Sequence, residues 1–201
     1  MIDNCLIDQG VLHASQSLQN NTLTDIPNLY KIDNFLSHDI ISKLNSYLNS
    51  STTNWHPAPG IDQYSTYNQN KLRYQINWDP DTVVEEIRTM IESLTTLVNK
   101  IYPQDILKFL GINLWKDSAG YKIHSHTDNP IIAAALQIYL TEADNVDLGT
   151  SFFYKGATVR IPGVVNSGYL LCNAYPVPHR TTSEIPNGTT RYSLYAIWTK
   201  A

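Results

Sequence analysis

Behind Ser37, the apolar residues Ile40, Ile41, Leu44 and Leu48 recur at three- and four-residue spacing, which predicts a first helix over about 38 to 49 with a serine N-cap. A second and stronger signal starts at Asp79-Pro80, a capping residue followed by a proline suited to the first helical position. From there Val83, Val84, Ile87, Met90, Ile91, Leu94, Leu97, Val98 and Ile101 form one wide apolar face that ends at Pro103, so a long helix lying on a sheet is expected. After it the period shortens. Runs at 108 to 116, 121 to 126, 132 to 140, 150 to 154, 157 to 161, 168 to 173 and 191 to 199, separated by Gly, Pro and Asn, predict strands. Residues 1 to about 28 are rich in Asn, Gln, Ser and Thr and predict an arm or an irregular strand.

Helices before strands is an α+β order, and so many short strands point to a double-sheet β-sandwich or jelly roll with the N-terminal helices on one sheet. At 201 residues and 42% apolar content the chain is expected to form a single domain, with residues 1 to 105 as a helix-rich support and 106 to 201 as the β core. A net charge of -4, with only 16% charged residues and no Lys/Arg cluster, argues against duplex nucleic acid and for a small-molecule, peptide or protein partner. Cys5 and Cys172 stand far apart and suggest neither a disulfide framework nor a zinc ribbon. The first residues lack the basic and apolar flanks of a secretory signal, and the apolar stretch from Ile131 to Leu140 is too short to span a bilayer. A cytoplasmic location without membrane attachment is expected.

The chemistry concentrates in Gly120-Tyr121-Lys122-Ile123-His124-Ser125-His126-Thr127-Asp128-Asn129-Pro130. On an extended segment His126 and Asp128 point the same way and can reach one ion, and His179 follows 51 residues after Asp128, far enough for a rolled sheet to bring it back. Two histidines and one carboxylate make the facial triad that holds Fe(II) with open positions. Arg191 and Ser193, again two apart, offer a guanidinium fork and a hydroxyl for a carboxylate. The same run also reads as His124-x-His126-x-Asp128, the pattern of metallo-β-lactamase-fold zinc hydrolases, although Asn129-Pro130 replaces the glycines that usually follow it there. A non-enzymatic cupin-like binding module is a third reading of the β half.

Taken as a set, Gly120-Tyr121 leading into His126-Thr127-Asp128-Asn129-Pro130, Ile138-Tyr139-Leu140, Leu148-Gly149-Thr150-Ser151-Phe152, and His179 followed by Thr190-Arg191-Tyr192-Ser193 resemble the Fe(II)- and 2-oxoglutarate-dependent oxygenases. The resemblance covers about residues 110 to 199 and is to the prolyl-hydroxylase-like branch, which includes the hypoxia-sensing prolyl hydroxylases. It implies a double-stranded β-helix, iron bound by His126, Asp128 and His179, and 2-oxoglutarate held at its far carboxylate by Arg191 with Ser193 and Tyr139. It also implies O2 as cosubstrate, ascorbate as a reductant, and hydroxylation of a C–H bond, foremost in a prolyl residue of a peptide or protein, with release of succinate and CO2. Nucleobase-oxidising enzymes share the triad but commonly carry a further arginine downstream, and no Arg follows Arg191. Trp115 stands where prolyl hydroxylases often have a tyrosine and receives no binding role, and Gln137 is expected on an inward face. For substrate, Trp55 to Asn70 and Lys71-Leu72-Arg73-Tyr74 are the expected surface, with Tyr64, Tyr67, Arg73 and Tyr74 as its gripping side chains.

Overall fold

In the computed structural model, which describes residues 4–58, 72–76, 82–141, 147–174 and 176–201, with the backbone alone for 4–7, the chain opens with α1 (Asn4–Gln19), β1 (Thr22–Leu23), β2 (Leu29–Ile32) and α2 (His38–Leu48). It continues through β3 (Trp55–Pro57), β4 (Arg73–Ile76), α3 (Val83–Ser93), α4 (Thr95–Ile101) and β5 (Leu107–Asp117). The last strands are β6 (Ala134–Tyr139), β7 (Thr150–Tyr154), β8 (Ala157–Ile161), β9 (Gly168–Cys172), β10 (His179–Thr181) and β11 (Arg191–Lys200). This is an α+β chain with two antiparallel sheets. One has eight strands in the order β1-β2-β9-β6-β11-β5-β4-β3, the other three in the order β10-β7-β8.

The central strand β11 pairs with β5 on one side and β6 on the other, and its pleat sorts residues between two environments. Leu194, Ala196 and Trp198 belong to one core with Leu136, Ile138, Leu170 and Cys172 of the neighbouring strands and with buried residues of the helices, among them Ala14, Leu44, Ile87 and Val98. Trp198 also donates from its indole N–H to Thr95 Oγ1 at 3.0 Å, fixing α4 to the sheet. On the opposite face Tyr139, Tyr169 and Leu171 pack with Phe152, Ile161 and Val177, joining the large sheet to the small one. Covered on both sides, all of β6 is buried, which is why its sequence is apolar on both faces apart from Gln137.

Several sequence expectations hold at the level of elements and shift in detail. The first helix spans His38–Leu48, with the Ser37 hydroxyl accepting from the Ile40 N–H as the cap. The expected long helix is instead two, broken at Leu94; it starts after Thr82, and Asp79-Pro80 lie outside the described residues. The N-terminal segment, expected as an arm or an irregular strand, forms the helix α1 followed by the two-residue strand β1. At Gly10 of α1 an added Cβ would lie 2.4 Å from Ile40 Cδ1 and 3.0 Å from Met90 Sδ, so this helix seats tightly on α2 and α3. The predicted strand at 121 to 126 is absent; that stretch makes one isolated bridge at His126.

Gly168 is the tightest point between β9 and β6, since a Cβ there would stand 1.7 Å from the Gln137 carbonyl oxygen. Gly168→Ala must push the two strands apart, whereas Gly111→Ala meets nothing within 4 Å. Urea unfolding should show Gly168→Ala destabilised by roughly 2 kcal/mol or more and Gly111→Ala within about 0.5 kcal/mol of wild type. Equal stability of the two variants would refute this account of the β9–β6 contact.

Candidate metal centre and anion clamp

The loop after β5 is pinned from both sides before it reaches the histidine. Gly120 N–H donates to the Ile185 carbonyl at 2.8 Å, Ile185 N–H returns a bond to Tyr121 at 3.0 Å, and the Thr181 hydroxyl accepts from Ile123 N–H at 3.1 Å. Beyond this anchor His126 and His179 exchange both backbone hydrogen bonds, at 3.0 and 2.8 Å, as an antiparallel pair. The sequence therefore reaches the geometry of a strand at one residue only, and that residue is the histidine.

The bridge brings the imidazole centroids to 4.4 Å. His126 Nδ1 lies 2.9 Å from the His124 carbonyl and His179 Nδ1 lies 3.0 Å from the Val177 carbonyl. A carbonyl oxygen can only accept, so each Nδ1 carries the proton and each Nε2 is left as a ligand atom. Asp128 completes the group: its Oδ1 is 3.6 Å from His179 Nε2, beyond hydrogen-bond range, and one ligand atom from each of His126, Asp128 and His179 falls within 4.8 Å of the others. Burial, together with the charge of His179, pushes the His126 pKa down despite the opposing pull of the His124 carbonyl and Asp128, favouring the neutral ring that a metal requires. This donor set suits Fe(II), with the two imidazoles already turned by their backbone bonds. His124 contributes its carbonyl; its side chain is exposed and outside the group, so among the described residues the zinc-hydrolase arrangement does not form.

Phe152 connects this centre to the large sheet, its ring 5.4 Å from His179 and 4.7 Å from Tyr169. Tyr169 donates to Gln137 Oε1 at 2.8 Å and Gln137 Nε2 donates to Ser193 Oγ at 3.3 Å, so Gln137 does face inward and is satisfied by side chains. Tyr139 donates to Thr150 Oγ1 at 2.8 Å, and burial raises both tyrosine pKa values, keeping the phenols protonated. Ser193 and Tyr139 are directly paired across β11 and β6, and Arg191 lies two residues along the same face.

Arg191 is 1% exposed on a central strand, not a surface residue on an edge. Its Nε and Nη2 donate to Asp117 Oδ2 at 3.0 and 2.7 Å, and its Nη1 donates to the Leu148 carbonyl at 2.8 Å. A guanidinium has five N–H groups, so these bonds leave one on each terminal nitrogen. Asp117, fully buried, is also gripped by Arg73, whose Nε and Nη2 reach its two oxygens at 2.6 and 3.0 Å. Burial works to raise the Asp117 pKa, but the charges and hydrogen bonds of Arg73 and Arg191 outweigh it and hold the carboxyl below the ordinary range. The Arg73 guanidinium carbon lies over both the Trp115 and the Tyr121 ring, 4.7 and 4.5 Å from their centroids.

Arg73 is thus not a surface gripping residue as expected, but part of a buried cluster; Tyr64 and Tyr67 lie outside the described residues, and Tyr74 is half-buried on β4. The cluster went unread in the sequence. Its one signal was Asp117 itself, a charge in register with Trp115 on an inward face of β5.

The chain matches no family model, nor the sequence of any curated protein. Solved structures match in fold. A Pseudomonas putida prolyl-4-hydroxylase is 16% identical with a TM-score of 0.66, covering 95% of this chain and 99% of that one. A Trichoplax adhaerens prolyl hydroxylase, in complex with a hypoxia inducible factor oxygen degradation domain peptide fragment, is 14% identical with a TM-score of 0.65 over 96% of this chain and 90% of its own. HygX from Streptomyces hygroscopicus, with nickel, 2-oxoglutarate and hygromycin B bound, is 11% identical with a TM-score of 0.61 over 87% and 83% of the respective chains. The likeness is one of fold across nearly the whole chain.

Removing one member of a buried charge cluster leaves the others uncompensated, so Asp117→Asn should cost about 3–5 kcal/mol in urea unfolding at neutral pH. The folded-state pKa is depressed, so the carboxylate's contribution is complete above its unfolded value of about 4 and is lost as pH falls through the lower folded value. The gap between wild type and variant should accordingly be constant from pH 5 to 7 and narrow only in acid; a gap that widens in acid would contradict the pairing.

Proposed function

We propose that the protein is an Fe(II)- and 2-oxoglutarate-dependent oxygenase whose two sheets are the walls of a double-stranded β-helix in one domain, with residues 1 to 105 as its support. The observation that carries this is the His126, Asp128, His179 group, its imidazoles bonded through Nδ1 to the His124 and Val177 carbonyls and one donor atom of each residue within 4.8 Å of the others. The three residues would hold the ion and leave its other positions to cosubstrate and oxygen.

Arg191 would receive the far carboxylate of 2-oxoglutarate on its two remaining N–H groups, with the Ser193 hydroxyl and the Tyr139 phenol beside it. With the cosubstrate and O2 bound, iron supplies the oxidising chemistry, which converts 2-oxoglutarate to succinate and CO2 and hydroxylates a substrate C–H bond. The chain's own part is placement. The backbone bridge sets the imidazole angles, Phe152 and Tyr169 keep water from the inner side, and the buried polar network limits how the cosubstrate can turn. Ascorbate is the reductant suited to returning the ion to its ferrous state.

For the substrate we propose a prolyl residue of a peptide or protein, supported by the fold shared with two prolyl hydroxylases, one of them bound to a peptide. No helix among the described residues is long and apolar enough to cross a membrane, and we propose a cytoplasmic enzyme acting on soluble partners.

Under anaerobic conditions, Fe(II) and 2-oxoglutarate should together produce a weak visible charge-transfer band with the purified protein. Tight zinc binding without such a band would defeat the proposal. His126→Ala and Asp128→Ala should each abolish conversion of 2-oxoglutarate to succinate, with His124→Ala retaining most of it; the opposite order would reassign the ligands.

A further inference from the structure

We infer that Arg73 is a positioning residue for cosubstrate binding: it offsets the charge of Asp117 so that Arg191 can accept a second carboxylate. The inference rests on the oxygenase reading above and adds to it a residue from outside the motif-bearing half of the chain. The Nε and Nη2 edge of Arg191 is already taken by Asp117, whose Oδ2 lies 2.7 Å from Nη2. A ligand carboxylate on the remaining N–H groups would therefore share one guanidinium with a buried carboxylate. Two anions on one cation repel, most strongly where water is excluded, and Asp117 is fully buried.

Arg73 changes that balance. It binds both oxygens of Asp117, so the three side chains carry two positive charges and one negative, and a ligand carboxylate meets a net attraction. The Trp115 and Tyr121 rings, 4.7 and 4.5 Å from its guanidinium carbon, help to keep the fork beside Asp117. Tyr121 lies 5.8 Å from the Arg191 guanidinium carbon as well, so one ring borders both cations.

The test is calorimetric binding under anaerobic conditions with Mn(II) in the metal site, comparing 2-oxoglutarate with 2-oxopentanoate, which keeps the oxo acid and lacks the far carboxylate. Arg73→Met should raise the Kd for 2-oxoglutarate at least about tenfold and leave that for 2-oxopentanoate unchanged, because only the former needs the charge offset. Arg73→Lys keeps the charge but loses the two-pronged grip on Asp117, so its Kd should fall between those of wild type and Arg73→Met. Arg73→Met combined with Asp117→Leu removes one charge of each sign and should recover most of the lost affinity. Should Arg73→Met not fold, Arg73→Gln, which can still hydrogen-bond Asp117, gives the same comparison. Unchanged 2-oxoglutarate affinity, or equal weakening of both ligands, overturns the role of Arg73 alone. A wild-type protein with no preference for 2-oxoglutarate over 2-oxopentanoate overturns the oxygenase reading and this inference with it.

Discussion

A strand buried on both faces must satisfy two opposite demands, and β11 meets them by its two-residue pleat. Leu194, Ala196 and Trp198 enter an apolar core under the helices, while Arg191 and Ser193 enter the space between the sheets. A guanidinium placed there cannot rely on solvent, so its surroundings are constrained: a carboxylate on β5, a second arginine on β4 and a carbonyl from the loop before β7. The polar contents of the inner space follow from that one burial.

The His126, Asp128 and His179 group is built by a different device on the opposite wall. The His126 segment has no regular strand, yet a single reciprocal backbone pair with His179 positions both rings, and the carbonyls two residues before each histidine set the tautomers. Side-chain chemistry here is aimed by main-chain geometry. The two histidines thus sit on a main-chain frame, while the buried Arg191 belongs to the facing sheet.

Much of this was legible because period and punctuation are local properties. The strand-rich late half, the first helix with its Ser37 cap, the shared face of Arg191 and Ser193 and the inward face of Gln137 all follow from spacing within short runs, while Tyr139 is placed beside them by the family resemblance. What escaped reading depends on partners distant in sequence. α1 is rich in Ser and Gln and carries a glycine, which hid its helical character, and Gly10 fits closely against Ile40 of α2 and Met90 of α3. The break at Leu94 interrupts an apolar face that continues unbroken in sequence. Arg73, next to aromatic residues, read as a surface grip; only the fold brings it against a buried carboxylate 44 residues away in sequence.

The His126 bridge has one more effect. The three-stranded sheet would otherwise present β10 as a short open edge, with backbone donors and acceptors available to any passing chain. By lying against His179, the ligand-bearing segment occupies part of that edge with hydrogen bonds in both directions. The segment that aligns the two imidazoles thereby also shields part of the sheet edge, so the same few backbone atoms serve both ends.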